Sequence, residues 1–378
     1  MRVSIHHYDQ NTGWDTQPPA AGLNANTLVL LFAASRPSAA VEQELQNLAQ
    51  RFSSCVVMGC STAGQISADR LLLGGIVLAV LQFEFSRLQL VASEIKETKD
   101  SRVVGAQIAQ QLQKEGLKSV FTLTDGLKLN GSAYVAGLNE NLPANVIVTG
   151  GMAADDDRFE QTWVMFEGER RSGLVLACGF YGQHLTVRHA SRGGWDMLGI
   201  TRKVTRSRGN VLYSLDDQPA LAIYKKYLGD KAAGLPGTGL LFPLAMVGDD
   251  EESSTVRTIL GVDEQEQSIT YAGDIPQGAH VRLMHANFDR LIDGAELAAE
   301  ELSAAEVEGD GVCIAISCVG RKLLLGTRAE EELEAVHMEL PDRVLQLGYY
   351  SYGEISPLAS GQCDLHNQTM TLTLMWET

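Results

Sequence analysis

The densest set of groups that could bind a small molecule lies in the stretch GYYSYGEIS, residues 348–356. If this stretch is a strand, its alternating side chains place Tyr350, Tyr352 and Glu354 on one face. Each buried tyrosine hydroxyl needs a hydrogen-bonding partner, so two phenols and a carboxylate on one side predict a polar wall for a ligand. The alternative is a tyrosine-rich edge that packs on a helix.

One arginine is placed where it could contact the same ligand. The stretch SCVGRKLLLG, residues 317–326, puts Arg321 just after a predicted buried strand. A guanidinium there could clamp a carboxylate through two parallel hydrogen bonds. An ordinary surface arginine fits the pattern equally well.

Catalytic motifs are weak in this sequence. GCSTAG, residues 59–64, offers Ser61, but Ala63 stands where the serine-hydrolase elbow G-x-S-x-G has its second glycine. No histidine lies near Cys60 in the sequence to activate its thiol. No paired acid and base is present either, so we expect a tight turn of small residues here and no enzymatic activity.

Histidine becomes important if the protein binds a metal or haem. In HLTVRH, strand alternation puts His189 on the apolar side of the strand. Such a residue is most often a hydrogen-bonded core histidine, but a neutral imidazole in an apolar slot also suits haem iron. Trp195 and Met197 follow this strand and could line an apolar pocket. We therefore rank His189 ahead of His285, which has the same kind of position in HVRLMH, residues 280–285.

The sequence contains three copies of a strand–helix–strand unit, and the tyrosine-rich stretch belongs to the last copy. In the first copy, TLVLLFAA is typical of a buried strand, and the segment after it has helical apolar spacing behind Ser38, a predicted N-cap. The three copies comprise residues 27–34, 38–52 and 55–67, residues 119–125, 131–142 and 145–156, and residues 311–318, 329–338 and 344–356.

The tyrosine-rich stretch is the last copy of one repeated turn. MGCSTAGQIS aligns without a gap on LGYYSYGEIS, so that Gly59 matches Gly348 and Gly64 matches Gly353. Tyrosines in the last copy replace small residues of the first. We expect the terminal turns of the units to converge and to leave a hollow for a ligand.

Hairpins follow the first two units, at residues 74–95 and 172–191. Helices interleaved with hairpins predict an α/β to α+β fold, a layered sandwich of β-sheets flanked by helices. The helix-like SLDDQPALAIYKKYLG and the turn-rich GLPGTGLLFP come near the middle, where we place a domain boundary. The predicted divisions are residues 1–24, 25–220 and 221–378.

Composition narrows the function classes. The chain has 378 residues and a formal charge of -17, which disfavours nucleic-acid and anionic-membrane partners because the net field repels phosphate. The basic stretch TRKVTRSRGN, residues 201–210, is interpreted as a solvated loop. No C-x-x-C pair occurs among the six cysteines, and no apolar run is long enough to span a bilayer. The stretch MRVSIHHYDQ has no apolar h-region, so we expect no signal peptide. We expect a soluble cytoplasmic protein with reduced thiols.

Six motifs in this order resemble the FIST family of sensory domains: GCSTAGQI, GGMAADD, GNVLYSLDDQPAL, SCVGRKLLLG, YYSYGEISP and LHNQTMTLT. The resemblance covers nearly the whole chain, with a FIST N part over 25–220 and a FIST C part over the rest. It implies bacterial signal transduction and the sensing of a small ligand. Together with the pocket argument above, the predicted ligand-binding residues are Cys60, Ser61, Trp195, Arg321, Tyr350, Tyr352 and Glu354.

A FIST protein of this length, with no attached kinase or chemotaxis module, resembles the bacterial nitric oxide-sensing group known as NosP. That similarity implies haem b as cofactor and a partner histidine kinase or cyclic-di-GMP enzyme. A homodimer is a separate expectation for the assembly. His189 would be the axial ligand of the iron, with His285 as the alternate. The open alternative is a non-haem FIST sensor of an amino acid or other small metabolite, bound through Arg321, Glu354 and the tyrosines.

Overall fold

The computed structural model describes residues 1–247, 255–303, 306–358 and 360–378. Its helices are α1 (Ala39–Arg51), α2 (Ser101–Gln111), α3 (Gly131–Asn141), α4 (Ala220–Leu228), α5 (Phe288–Ser303), α6 (Val319–Leu325) and α7 (Ala329–Glu339). Helices and several sheets together give the mixed α/β to α+β fold that the sequence predicts. None of the helices in the described residues combines the length and apolarity that a bilayer crossing needs.

The strands of these residues, in chain order, are β1 (Arg2–Asp9), β2 (Gly13–Trp14), β3 (Thr27–Ala34), β4 (Val56–Thr62), β5 (Gln65–Ser67), β6 (Arg70–Leu72), β7 (Ile76–Gln82), β8 (Arg87–Glu94), β9 (Leu117–Thr124), β10 (Ile147–Met152), β11 (Val164–Phe166), β12 (Glu169–Arg171), β13 (Leu174–Tyr181), β14 (Leu185–Arg192), β15 (Asp196–Arg208), β16 (Val211–Leu215), β17 (Gln218–Pro219), β18 (Leu244–Met246), β19 (Thr255–Arg257), β20 (Ile259–Asp263), β21 (Ser268–Tyr271), β22 (His280–His285), β23 (Gly311–Cys318), β24 (Val344–Ser351), β25 (Glu354–Pro357), β26 (Cys363–His366) and β27 (Met370–Glu377).

Three sheets repeat one strand order. Sheet 1 runs β12-β11-β4-β3-β7-β1-β2, sheet 2 runs β26-β25-β10-β9-β13-β8, and sheet 3 runs β6-β5-β24-β23-β27-β14. Each is built on a parallel pair, β3 with β4, β9 with β10 and β23 with β24. The third central strand, β7, β13 or β27, pairs antiparallel with the first strand of its parallel pair. The repeated unit predicted from the sequence is therefore present in three copies.

Local sequence signals explain the first unit. The Ser38 side chain accepts a hydrogen bond from the amide of Val41 and so caps α1, as predicted. Val41, Leu45 and Leu48 form the buried stripe of this helix and pack on β3 and its neighbours. The predicted strand over 27–34 is β3 without a shift at either end.

A glycine recurs at one position of the second parallel strand. A Cβ on Gly59, Gly150 or Gly348 would lie 2.2, 1.9 or 1.6 Å from the carbonyl oxygen of the residue opposite on the first strand. No side chain fits so close to a backbone atom, so the close approach of the two parallel strands requires glycine. This contact explains why the aligned motifs share it.

The units exchange strands in a closed cycle. After its second parallel strand, each unit sends a short arm into another sheet: β5 pairs with β24, β25 with β10, and β11 with β4. The outer strands do the same, since β8 pairs with β13 and β14 with β27. Sheets 2 and 3 therefore contain strands from both sides of the predicted boundary at residue 220, and residues 1–24 supply β1 to sheet 1.

The described residues between 196 and 285, called here the insert module, form a fourth sheet in the order β19-β18-β22-β15-β16-β21-β20, with β17 beside β16. The module has its own apolar core under α4. The basic stretch 201–210 lies largely in the long strand β15 and does not form the predicted loop. Val204 is buried in the core of the module, while Lys203 and Arg206 stay exposed. The pairing of β15 with β16 shifts register at Arg206, so burial does not alternate regularly here.

Candidate functional site

The strand-to-turn segments of the three units meet one another, as the repeat predicts. Three backbone hydrogen bonds of 2.9 Å join the units pairwise, from Ala63 N to Tyr350 O, from Met152 N to Gly353 O and from Ala154 N to Ser61 O. The hollow predicted at this point is not found, because the turns are tightly packed and Cys60, Ser61, Tyr350 and Glu354 are fully buried there. A ligand therefore has no route from solvent to these side chains in this conformation.

The small residues of the first turn serve packing. Burial raises the pKa of the Cys60 thiol, so the thiol stays protonated. The Ser61 hydroxyl accepts a hydrogen bond of 3.1 Å from the amide of Trp163. Neither group has the activated form that a nucleophile needs.

Arg321 is fully buried and all five of its N–H donors are used. Two of them bind the carboxylate of Glu332 at 2.8 and 2.9 Å. The others reach the backbone carbonyls of Gly193 and Leu291 at 2.6 Å and of Gln368 at 3.4 Å. The chain enters the insert module shortly after Gly193 and has left it before Leu291. Through these two carbonyls and Glu332, the guanidinium links both segments to helix α7.

Tyr350 and Tyr352 direct their hydroxyls to different partners. Tyr350 donates to the Glu332 carboxylate at 2.7 Å, and its pKa is raised by burial and by that charge. Tyr352 donates to the buried carboxylate of Asp155, and its ring stacks on the half-exposed ring of Phe159 at 4.5 Å. The two phenols therefore do not share one wall, because each satisfies a carboxylate from a separate segment.

Glu354 is a buried carboxyl without a charged partner in contact. Its oxygens lie 2.7 and 2.9 Å from the hydroxyls of Ser351 and Thr369, and one of them accepts a hydrogen bond from the Thr369 amide at 3.3 Å. Burial raises the pKa of Glu354 to about 8, more than these hydrogen bonds lower it. The side chain is therefore a neutral carboxylic acid at pH 7.

A cavity of about 480 Å³ lies between the insert module and the three-unit body, and is called here the junction cavity. The body contributes His189, Ser191 and Trp195 around β14 and His366 and Thr369 at the end of β26. The module contributes three apolar side chains, Met197, Val256 and Met284. The volume is within the range of small-molecule sites, and the lining combines these apolar side chains with polar groups and with the charged Arg192 and Glu301.

His189 and His366 both face the junction cavity. Burial lowers the pKa of His189, and the nearby Glu301 carboxylate offsets only part of this effect, so the imidazole is neutral. His366 Nε2 donates a hydrogen bond of 3.0 Å to the carbonyl of Ser356. The Trp195 indole is fixed by a hydrogen bond of 2.8 Å to the carbonyl of Gln368.

His285 lies outside the lining of the junction cavity. Its ring is 44% exposed and stands 3.9 Å from the carboxylate of Asp196. Of the two predicted axial ligands, only His189 shares a cavity with Trp195 and Met197. Within the described ranges, no group of three or more His, Cys, Asp and Glu side chains is arranged to hold a metal ion.

The predicted ligand-binding residues thus fall into two places. His189 and Trp195 line the junction cavity, whereas the other six lie in the packed centre: Cys60, Ser61, Arg321, Tyr350, Tyr352 and Glu354. Thr369 joins the two places, since it lines the cavity and its hydroxyl is hydrogen-bonded to Glu354 at 2.9 Å.

Sequence reasoning missed Glu332, Ser191 and Thr369. Glu332 stands in a run of three glutamates, and only its burial distinguishes it from its neighbours. Thr369 lies in the motif LHNQTMTLT, and this motif was the sequence feature that could have pointed to its place in the wall of the junction cavity.

Two family models match the chain, the FIST N domain over residues 27–218 and the FIST C domain over residues 220–357. An uncharacterized protein of Methanocaldococcus jannaschii is 22% identical over 379 aligned residues, which cover 89% of this chain and 71% of that protein. Among solved structures, cyanuric acid hydrolase from A. caulinodans aligns at 7% identity and a TM-score of 0.35, over 93% of this chain and 89% of its own. Another cyanuric acid hydrolase structure aligns at 9% identity and a TM-score of 0.34, over 100% and 99%.

Proposed function

The chain belongs to the FIST family, whose domains are the sensory parts of signalling proteins, and we propose that the junction cavity is where this member binds its ligand. We further propose that it is a bacterial sensor that holds haem b in this cavity and responds to nitric oxide. The observation that carries the proposal is the neutral imidazole of His189 beside Trp195 in a cavity with an apolar opposite wall.

The residues present fit a haem. His189 offers the lone pair of a neutral imidazole, which is what an axial ligand needs. Met197 and Met284 supply soft, apolar surface against a flat macrocycle. Arg192 lines the cavity and pairs with Glu301 at 2.9 Å, and its guanidinium would bind a carboxylate of the cofactor.

When bound, the haem would supply an iron atom able to take up nitric oxide. The protein's part would be to hold the macrocycle at His189, to exclude water with Trp195 and Met284, and to report the occupied state. The insert module is the natural reporter, because it forms one wall of the cavity. A partner histidine kinase or cyclic-di-GMP enzyme would read that state, and the acidic surface suits a basic patch on it.

A visible absorption spectrum of the chain purified with haem supplied tests this proposal. We expect a Soret band in the wild type that shifts when nitric oxide is added. His189→Ala should lose or alter the band, because the iron loses its ligand, whereas His285→Ala should leave it unchanged. Absence of a Soret band in the wild type, or an unaltered band in His189→Ala, would contradict haem binding at this site.

The non-haem alternative, an amino-acid sensor that uses Arg321, requires a guanidinium with free donors. All five donors of Arg321 are bound within the protein. An amino-acid carboxylate would have to displace the buried Glu332, at a cost that a small ligand does not easily offset. Calorimetric titration with an amino-acid panel checks this alternative, and we expect no heat of binding.

A further inference from the structure

A continuous chain of hydroxyl groups connects the buried Glu354 to the wall of the junction cavity. The Thr369 hydroxyl lies 2.9 Å from Glu354 Oε2 and 3.3 Å from the Thr371 hydroxyl. The Thr371 hydroxyl lies in turn 3.1 Å from that of Ser191. Ser191 stands in β14 directly opposite Thr371 of β27 and lines the cavity, so the chain ends at the ligand site.

Among the titratable side chains that surround Glu354, which are Cys318, Tyr349, His366, Arg321 and Glu332, none is expected to change charge near neutral pH, whereas Glu354 itself is. The thiol of Cys318 in β23 and the phenol of Tyr349 in β24 both have a raised pKa because they are buried, so they stay neutral. His366, opposite Glu354 on β26, has a lowered pKa through burial and is also neutral. The charge of Arg321 is balanced by the carboxylate of Glu332.

The two protonation states of Glu354 impose opposite directions on the hydroxyl chain. A protonated Glu354 donates to Thr369, which can then donate to Thr371 and so on to Ser191, whose proton is left to point into the cavity. An ionised Glu354 accepts from Thr369, so each hydroxyl turns its proton inward and the lone pairs of Ser191 face the cavity. A hydroxyl group has one donor and can reverse in this way without moving its oxygen.

We propose that Glu354, acting through Thr369 and Thr371, sets whether the cavity wall at Ser191 donates or accepts a hydrogen bond, and so selects which ligands the cavity holds. The inference rests on the proposed ligand site at the junction cavity. Hydrogen-bond acceptors, such as the terminal atom of a diatomic ligand or an aromatic nitrogen, are preferred while Glu354 is protonated. Donors are preferred once it is ionised.

The experiment uses the haem-free full chain and two flat probes of similar size, pyridine as an acceptor and pyrrole as a donor. Their dissociation constants are measured by NMR titration at about pH 6.5 and about pH 9.5. In the wild type we expect the preference for pyridine over pyrrole to fall roughly three- to tenfold between the two pH values, the effect of one net hydrogen bond.

Three variants locate the effect. Glu354→Gln keeps a donor toward Thr369 at every pH, so the preference for pyridine should stay high and become independent of pH. Thr371→Val breaks the chain and should remove the pH dependence. Thr373→Val is the matched control, because Thr373 is equally buried on the same strand and lies opposite His189, not Ser191. It should behave as the wild type does.

A preference that does not change with pH in the wild type, or that changes equally in Thr371→Val, would overturn the proposal. Failure of both probes to bind would overturn it too, since the wall would then not be open to ligands. Haem takes no part in these measurements. A protein that binds no haem but shows the pH-dependent preference would therefore refute only the haem proposal, and the reverse result would refute only the hydroxyl chain.

Discussion

At the scale of single residues, the protein neutralises buried charge in two different ways. Arg321 and Glu332 are both fully buried and hold each other as an ion pair, with backbone carbonyls taking the remaining donors. Glu354 has no such partner and keeps its proton instead. The first arrangement fixes the chain where it enters and leaves the insert module, and the second leaves a group that still responds to pH.

The stability of the protein should therefore depend on the ionisation of Glu354. The pKa of Glu354 rises from 4.5 to about 8 through burial, so the folded state keeps a proton that the unfolded state releases between these values. Relative to Glu354→Gln, the wild type should be fully stable below pH 4.5 and lose about 1.4 kcal/mol per pH unit up to about pH 8. Above that pH the loss should stay constant.

Free energies of unfolding from urea titrations at about pH 5, 7 and 9 measure this difference. Glu334→Gln is the control, because Glu334 is an exposed glutamate of α7 and its replacement should add no pH-dependent difference. A gap between wild type and Glu354→Gln that is the same at all three pH values would contradict a protonated Glu354.

At the scale of secondary-structure elements, the recurring glycine decides how closely the parallel strands approach. Gly348→Ala would bring a Cβ to 1.6 Å from a backbone carbonyl oxygen, so β23 and β24 would have to separate. We expect a loss of at least about 1–3 kcal/mol in the free energy of unfolding, as for an overpacked core. Thermal and urea unfolding measure it.

Gly261→Ala serves as the comparison for that substitution. Gly261 lies in β20 of the insert module, and a Cβ there would meet no heavy atom within 4 Å. Its replacement should change the free energy of unfolding by less than about 0.5 kcal/mol. Equal losses in the two variants would show that the close approach at Gly348 has no special role.

Local patterns were enough to predict the elements of the repeat. Buried strands over 27–34 and 311–318 coincide with β3 and β23, and the helix behind Ser38 ends within a residue of its predicted limit. Such elements follow from the period of their own apolar residues. Gly59 and Gly348, which align in the sequence, also occupy equivalent positions in the structure, each close to a carbonyl oxygen of the neighbouring strand.

Local sequence patterns could not predict the exchange of the short strands between units or the direction of the tyrosine side chains. β5 and β25 are short, and their partners lie in other units, so no local period encodes the pairing. Tyr350 and Tyr352 share a face in the sequence pattern, but their hydroxyls go to Glu332 and Asp155, which tertiary contacts alone bring near. The junction cavity depends on the docking of the insert module and was signalled only by His189, Trp195 and Met197.

At the scale of the whole molecule, the position of the insert module decides the shape of the junction cavity. Arg257 of the module is buried and donates to the carbonyl of Leu365 in β26 at 2.8 Å, with Asp364 of the same strand 3.8 Å away. The adjacent residue Val256 lines the cavity. One strand of the module therefore carries both a wall of the cavity and the polar contact that holds the module to the body.

Arg257→Ala should loosen this contact and open the cavity. We expect faster amide hydrogen exchange in β19, β26 and the cavity wall, and faster loss of any bound haem, because Asp364 loses its buried cationic neighbour. Hydrogen-exchange mass spectrometry measures the first effect and the decay of the absorption band the second. Arg282→Ala, which removes a contact to Gly199 within the module, should leave the exchange of β26 unchanged.

The cyclic exchange of arms also has a consequence for biosynthesis. β5 is made before the strand it pairs with, β24, since Ser67 of β5 lies opposite Leu347 of β24. The first unit must therefore keep an unpaired edge until β24 has been translated, which makes completion of the native state slow and exposes nascent chains to aggregation. Cells that produce this protein are expected to rely on chaperones that shield such edges during translation.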